Sequence, residues 1–393
     1  MPATPVLISA WARSAVVPVD GAFRTLHAHD IAAPIVQALL QRAGLPATAV
    51  DALVMGNALG AGGNPARMAA LAAGLPDHCP AFTIDTQCCS GLDAVGTAAN
   101  MVASGQAHVV IAGGAEAWSR APIRQHRPLN ANEPAIAYER PAFAPDPTRD
   151  PDLLQAAALY AHQQQHTRAQ QNAYAQQSHA RALQHQAALQ PFIVPIAGVA
   201  HDIYPRDIAD HKLHRMPLAA SIQNDHSDMD CGVSHLAVST KADGAAFVLL
   251  MSQSASQHWG CKPQAQWLAH ASVGCAPDMP LLAAQVAAQA VLKRATWPTA
   301  HTLQAVELHD AFAVQGMSFN NALSLSPDIC NTYGGGLARG HPIGASGAVA
   351  LVQLITRLSL SSHSQPTGMV AIAAAGGLGC AALVQFSVRP CPT

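Results

Sequence analysis

Cys88-Cys89-Ser90-Gly91 stands between an apolar run ending near Ile84 and a small-residue stretch that begins at Ser90. A cysteine at a helix N-terminus feels the positive end of the macrodipole, which favours the thiolate a nucleophile needs. A single cysteine is more often a small buried hydrophobe; the strand–Cys–Ser–Gly–helix context instead points to a nucleophile at Cys88 or Cys89. A second group, Gly340-His341-Pro342-Ile343-Gly344-Ala345-Ser346-Gly347, sets His341 in a glycine-lined turn ahead of another helix. A thiol and an imidazole are the minimum set for a nucleophile with its activating base. Glu307-Leu308-His309-Asp310-Ala311-Phe312 adds His309 at the end of an apolar run, where a capped strand terminus is the competing reading. His162 and His166 have the i,i+4 spacing of helical metal ligands. No acidic or cysteine partner lies at helical spacing from them, so they read as a polar solvated face, and no metal site is expected.

These groups need elements to hold them. Val6 to Ser9, Ala52 to Met55, Ala81 to Asp85 and His108 to Ala112 read as buried strands. They alternate with helices at His27–Ala43, around Ala66–Ala73, and from Ser90 to about Ser104. That alternation predicts a largely parallel, covered sheet. The last third repeats the logic: His341, then Ser346-Gly347, an apolar helix through Leu358, a strand Met369–Ala373 and Gly376-Gly377. Each half thus carries a reactive residue, Ser-Gly, a helix, a strand and a Gly-Gly pair, the mark of an internal duplication. Between them, Arg120–Asp152 reads as loop, His162–Gln190 as helix, and Ala245–Met251 as one more buried strand.

Composition bounds the rest. The chain has 393 residues, of which 50% are hydrophobic and 11% charged, with 21 Lys+Arg against 23 Asp+Glu. So balanced a charge gives no phosphate-tracking surface, and nucleic acid is not an expected partner. No basic segment precedes a long apolar run at the N-terminus, so no signal peptide is expected. Nine cysteines without a C-x-x-C pair suggest neither a zinc ribbon nor a disulfide framework, and a reducing, cytoplasmic setting is expected. The uncharged run Gly368–Val388 is long enough to span a bilayer. Gly376-Gly377-Leu378-Gly379 interrupts it, so two buried strands joined by a turn are expected in place of a membrane helix.

Cys88-Cys89-Ser90-Gly91-Leu92, Ala112-Gly113-Gly114-Ala115-Glu116, Asn331 with Gly334-Gly335, and the Gly340–Gly347 block together resemble the thiolase family. Thr167-Arg168 through Tyr174 to Ser178-His179, and Asp243-Gly244-Ala245-Ala246, extend the likeness over essentially the whole chain. His309-Asp310-Ala311-Phe312 is nearer the sterol-carrier-type branch than the common Asn-Glu-Ala-Phe version. The resemblance implies an α/β thiolase fold: two duplicated βαβαβαββ-type halves in a layered αβαβα arrangement, with an inserted loop domain. The corresponding segments are 1–118, with the nucleophilic cysteine; 119–245, the insertion and return to the core; and 246–393, with the catalytic histidine.

By the same resemblance Cys88 attacks an acyl-CoA thioester and holds the acyl group, and His341 activates it. His309 takes the place where many relatives use Asn to orient an oxyanion-hole water. The N–H of Cys88 and one from the Ala374–Gly376 turn make the other oxyanion hole. Leu153, Ser239, Ala311 and Phe312 match the pantetheine tunnel, and Arg215 is the candidate for the nucleotide phosphates. Coenzyme A thioester is implied as substrate, with no covalently bound cofactor, no membrane partner, and a homodimer or homotetramer as the assembly. One departure stands out: relatives carry a second reactive cysteine where this chain has Ala373, while Cys380, just past the turn, is expected to point into packing. Thiolysis of 3-ketoacyl-CoA or condensation of acetyl-CoA is therefore the leading expectation. Decarboxylative condensation or transfer to another acceptor, and a catalytically weakened CoA-binding partner subunit, are the alternatives.

Overall fold

The computed structural model describes residues 5–222, 229–326 and 328–387; Val388, named above, and Cys391, one of the nine cysteines, lie outside them. The first half runs β1 (Val6–Arg13), α1 (Ala28–Ala43), β2 (Ala52–Gly56), α2 (Pro65–Ala72), β3 (Ala81–Ile84), α3 (Ser90–Ala103) and β4 (Val109–Ala117). An excursion follows, carrying α4 (Leu153–Gln163) and α5 (Arg168–Gln184), and the chain returns on β5 (Ala242–Ser252). The second half runs β6 (Ala265–Gly274), α6 (Ala283–Arg294), β7 (Ala305–His309), α7 (Ala313–Ala322), α8 (Ser346–Ser359), β8 (Thr367–Ala374) and β9 (Leu378–Phe386).

The strands hydrogen-bond in the order β7-β8-β9-β6-β1-β5-β4-β2-β3. The halves meet where their first strands pair antiparallel, Val6 opposite Trp267 and Ile8 opposite Ala265. Cys330 bridges in parallel to Val306 of β7 and occupies the edge place that β3 holds beside β2. Counting it, both halves have one strand order, and the duplication is real. The sheet is mixed, not largely parallel: only β2–β3, β2–β4 and β7–β8 run parallel. The reason lies in the last two strands of each half, which are not joined by crossover helices. β8 turns directly into β9 through Gly376 and Gly377, both at φ near +75°, a conformation cheap only for glycine. β5 returns from the excursion antiparallel to β4, from Asp243 opposite Ala117 to Met251 opposite Val109. A cut at residue 246 therefore divides a continuous strand of the first half.

Three apolar clusters define five layers. Ile31, Ile35 and Leu39 of α1 cover the outer face of the first sheet against Leu53, Met55 and Phe247. Ala284, Ala287 and Val291 of α6 cover the outer face of the second against Leu308, Met369 and Leu383. Between the sheets lie α3 and α8, packed on Val54, Val110 and Val248 from one side and Val370, Ile372 and Val384 from the other. A helix between two sheets has no solvent face, and Ser346 to Leu358 of α8 are all buried. Among the described residues no helix is long and apolar enough to cross a membrane, and the Gly368–Phe386 run is β8, turn and β9.

The expected single helix over His162–Gln190 is broken. Gln165 takes a left-handed φ of +55°, and Thr167 starts α5 with a capping box to Gln170. His162 thus ends one helix while His166 precedes the next, and the two do not share a helical face.

Candidate active site

Cys88 lies on a single turn, Gln87–Cys89, that feeds directly into α3. Gln87 is held at φ +55°, its N–H donating to Asp85 Oδ1 at 2.9 Å. Thr86 N–H donates to Ser90 Oγ at 2.9 Å, and that hydroxyl donates to the Gln87 carbonyl. The turn is thereby locked by side chains on both sides of the sulfur. Cys89 Sγ points the other way, towards the Ile372 carbonyl at 3.7 Å, and the residue is fully buried. Of the two adjacent cysteines, Cys88 alone faces the cavity described below.

His341 enters through Gly340, whose φ of +107° suits glycine alone, and its N–H donates to the Thr240 carbonyl at 2.6 Å. Its Nε2 lies 3.2 Å from Cys88 Sγ. Its Nδ1 lies 2.7 Å from Ser346 Oγ, and that hydroxyl donates its only proton to the Pro342 carbonyl at 3.1 Å. Ser346 must then accept from Nδ1–H, which leaves Nε2 as a bare acceptor facing the thiol. Burial lowers the His341 pKa to about 4. Burial also pushes the Cys88 thiol up to about 12, although the N–H groups of Ala375 and of Cys88 itself favour the thiolate; the Glu116 and Asp85 carboxylates add to the rise. Desolvation therefore works against the thiolate that the helix N-terminus favours, and pulls the resting pair towards thiol and neutral imidazole.

His309, at the end of β7, stacks on His341 with ring centroids 4.4 Å apart. Its Nε2 is buried and without a hydrogen-bond partner, and burial, then the neighbouring His341 and Arg339, hold its pKa well below the usual histidine value. It is a neutral ring with a free polar atom, suited to ordering a water or a substrate oxygen.

The two halves are brought this close by glycine. A Cβ at Gly56, Gly91 or Gly114 would come within 2.6, 2.8 or 2.2 Å of the Gly344 carbonyl oxygen. Glu116 fastens the same junction, accepting from the N–H groups of Ala58 at 2.9 Å and Gly344 at 3.0 Å and from Asn57 Nδ2 at 2.8 Å. Burial raises its pKa to about 7 against those donors. Sequence reading quoted Glu116 and Ser346 within motifs without giving them roles. The signal for Ser346 is its place at the start of the helix that follows His341, five residues on.

A cavity of about 110 Å³ opens onto the sulfur, lined by Cys88, His341, Leu153, Ser239, Ala311 and Phe312 together with Val238, Pro280, Leu281, Gln315 and Ala373–Ala375. All four expected tunnel residues are therefore assembled around Cys88. Gln315 was missed; its Oε1 accepts from Ala311 N–H at 2.9 Å and fixes the start of α7. Arg215 is exposed, beyond the short helical turn Asp210–Leu213, and is not among the lining residues. Cys380 is fully buried in the apolar layer between the sheets, as expected, and its Sγ also lies 3.1 Å from His270 Nε2. Ala373 presents only a methyl group to the cavity, so among the described residues Cys88 and His341 are the ionisable side chains that line it.

Fold and site define a duplicated α/β enzyme whose halves contribute a cysteine and a histidine from equivalent places. Residues 6–254 match the thiolase N-terminal domain and residues 261–386 the thiolase C-terminal domain. An acetyl-CoA acetyltransferase of Shinella zoogloeoides is 32% identical, with 97% of this chain and 99% of that protein covered. One of Rhizobium meliloti is 33% identical over 97% and 98%. The crystal structure of the Bacillus anthracis acetyl-CoA acetyltransferase superimposes with a TM-score of 0.88 at 28% identity, covering 98% of this chain and 99% of that one. The chain belongs to the thiolase family.

Proposed function

We propose that this acyltransferase forms an acyl-enzyme on Cys88 from acyl-CoA and passes the acyl group on in thiolase fashion, by 3-ketoacyl-CoA thiolysis or acetyl-CoA condensation. The 3.2 Å approach of Cys88 Sγ to His341 Nε2, with Nδ1 engaged by Ser346, carries this reading. Sulfur attacks the thioester carbonyl while Nε2 accepts the thiol proton. The N–H groups of Cys88 and Ala375, which already face the sulfur, receive the developing oxyanion. The CoA thiolate leaves with the proton from His341, and the acyl group stays on Cys88. Leu153, Ser239, Ala311 and Phe312 would line the pantetheine arm, and Arg215 would meet the nucleotide phosphates from outside the cavity. The His-Asp-Ala-Phe sequence at 309–312 supports the sterol-carrier-type branch. A cytoplasmic homodimer or homotetramer belongs to the same proposal.

Ala373 favours a second reading of the later step. Condensation of two acetyl-CoA molecules needs a base for the α-proton; His341 lines the cavity, and His309, stacked on it, is not among the lining side chains. Loss of CO₂ from a malonyl-type thioester supplies the carbanion without any base. The test gives the acylated protein acetyl-CoA or malonyl-CoA as second substrate. A 3-ketoacyl product from acetyl-CoA alone supports thiolase chemistry; CO₂ release with product only from malonyl-CoA supports the decarboxylative route. Absence of any acyl-enzyme overturns both.

A further inference from the structure

Asp93 on the first turn of α3, His270 on β6 and Cys380 on β9 converge on one point away from the catalytic cavity. His270 Nε2 is 3.2 Å from Asp93 Oδ1 and 3.1 Å from Cys380 Sγ, and the three ligand atoms all lie within 4.8 Å of one another. As hydrogen bonding alone this is an uneven arrangement. One imidazole N–H would be shared by a carboxylate and a sulfur, and the thiol would turn to the same carboxylate. As a coordination shell it brings one nitrogen, one oxygen and one sulfur within reach of a single ion. Zn–S near 2.3 Å and Zn–N or Zn–O near 2.0–2.1 Å give tetrahedral edges of roughly 3.3–3.6 Å, so the two separations above would open by up to about half an ångström on binding.

The surroundings support the second description. Asp93 Oδ2 is held by Thr86 Oγ1 at 2.6 Å, which leaves Oδ1 aimed at the cluster, the kind of outer contact that orients a ligating carboxylate. The His270 ring occupies space that only glycine at 96 leaves open, since a Cβ there would lie 2.6 Å from the ring. Asp93 and Cys380 are buried, whereas the His270 side chain keeps 16% of its surface exposed and offers a way in. One carboxylate and one thiolate neutralise a divalent ion, so the buried assembly carries no net charge.

We propose that Asp93 Oδ1, His270 Nε2 and Cys380 Sγ form a three-ligand site for one divalent ion of the zinc class, with solvent in the fourth position. Thiolate plus imidazole selects such borderline-soft ions over magnesium or calcium. Binding displaces the Cys380 thiol proton to solvent and keeps the imidazole proton on Nδ1. The ion would tie the first turn of the nucleophile's helix to two strands of the other half and, through Thr86, steady the turn that carries Cys88. No sequence spacing links residues 93, 270 and 380; the fold alone brings them together.

The test uses the full chain, stripped of metal with a chelator and titrated with Co²⁺. One ion per chain, with a thiolate-to-cobalt charge-transfer band, is expected. The band should persist in Cys88→Ala and vanish in Cys380→Ser. Asp93→Asn and His270→Gln should weaken Co²⁺ binding by about 100-fold or more, beyond what outer contacts usually cost. Circular dichroism checks that each variant is folded. The wild-type stoichiometry and band stand on their own should Cys380→Ser not fold. Absence of the band in the wild type, or its survival in a folded Cys380→Ser, overturns the site and leaves a hydrogen-bonded cluster.

Discussion

The two halves of the molecule share one strand order and use it to deliver different chemistry. In the first half the edge strand is a proper strand, Ala81–Ile84, and the chain passes through just two residues, Asp85 and Thr86, to the Gln87–Cys89 turn that opens α3. In the second half the edge shrinks to a bridge at Cys330, and a glycine-rich loop through Gly334, Gly335 and Gly340 precedes His341 and α8. A tight turn fixes a sulfur; a longer loop lets an imidazole reach across to it. Duplication supplied two helix entrances facing one another, and divergence of the approach to each put a thiol at one and an imidazole at the other.

Breaking the second-half contribution should have the largest effect. His341→Ala removes the proton acceptor and is expected to slow Cys88 acylation by about 10³-fold, as loss of a positioned general base usually does; stopped-flow release of CoA measures it. Restoring what the second half lacks comes next. Ala373→Cys puts a thiol at the cavity wall and should speed exchange of the acetyl-CoA methyl protons with D₂O by about 10²-fold. Unchanged exchange would show that a histidine already does this work.

The resting protonation of the pair sharpens the comparison further. Burial pushes the thiol up to about 12 and His341 down to about 4, which favours the neutral pair across the range between. The thiolate fraction then grows about tenfold per pH unit, so alkylation of Cys88 by iodoacetamide should rise about 10²-fold from pH 7 to 9. A thiolate–imidazolium pair would instead give a plateau. The smallest effect belongs to Ser346→Ala, which frees Nδ1 of His341. Loss of one buried hydrogen bond of about 1–1.5 kcal/mol should lower kcat roughly tenfold with KM unchanged.

Much of this was legible in the residues. Small-residue runs flanked by glycine marked the buried strands, and the two Ser-Gly helix entrances marked both reactive residues. What stayed hidden depends on non-local geometry. The antiparallel β1–β6 seam and the return of β5 involve partners far apart in the chain, which periodicity does not connect. The glycines at 56, 91, 114 and 344 look like ordinary turn residues until the crossing at the Gly344 carbonyl is seen. The neutral resting pair follows from how completely the folded protein excludes water from Cys88 and His341, and no motif records that. Cys380 looked like packing because its partners, Asp93 and His270, are hundreds of residues and a hundred residues away.

The central claim is that Cys88, and not its neighbour, is acylated. Intact-mass analysis after incubation with acetyl-CoA, followed by peptide mapping, tests it directly on the wild type, Cys88→Ala and Cys89→Ala. The account predicts a single acetyl adduct on Cys88 in the wild type and in Cys89→Ala, and none in a folded Cys88→Ala. An adduct that persists in Cys88→Ala, or its absence from the folded wild type, would contradict it.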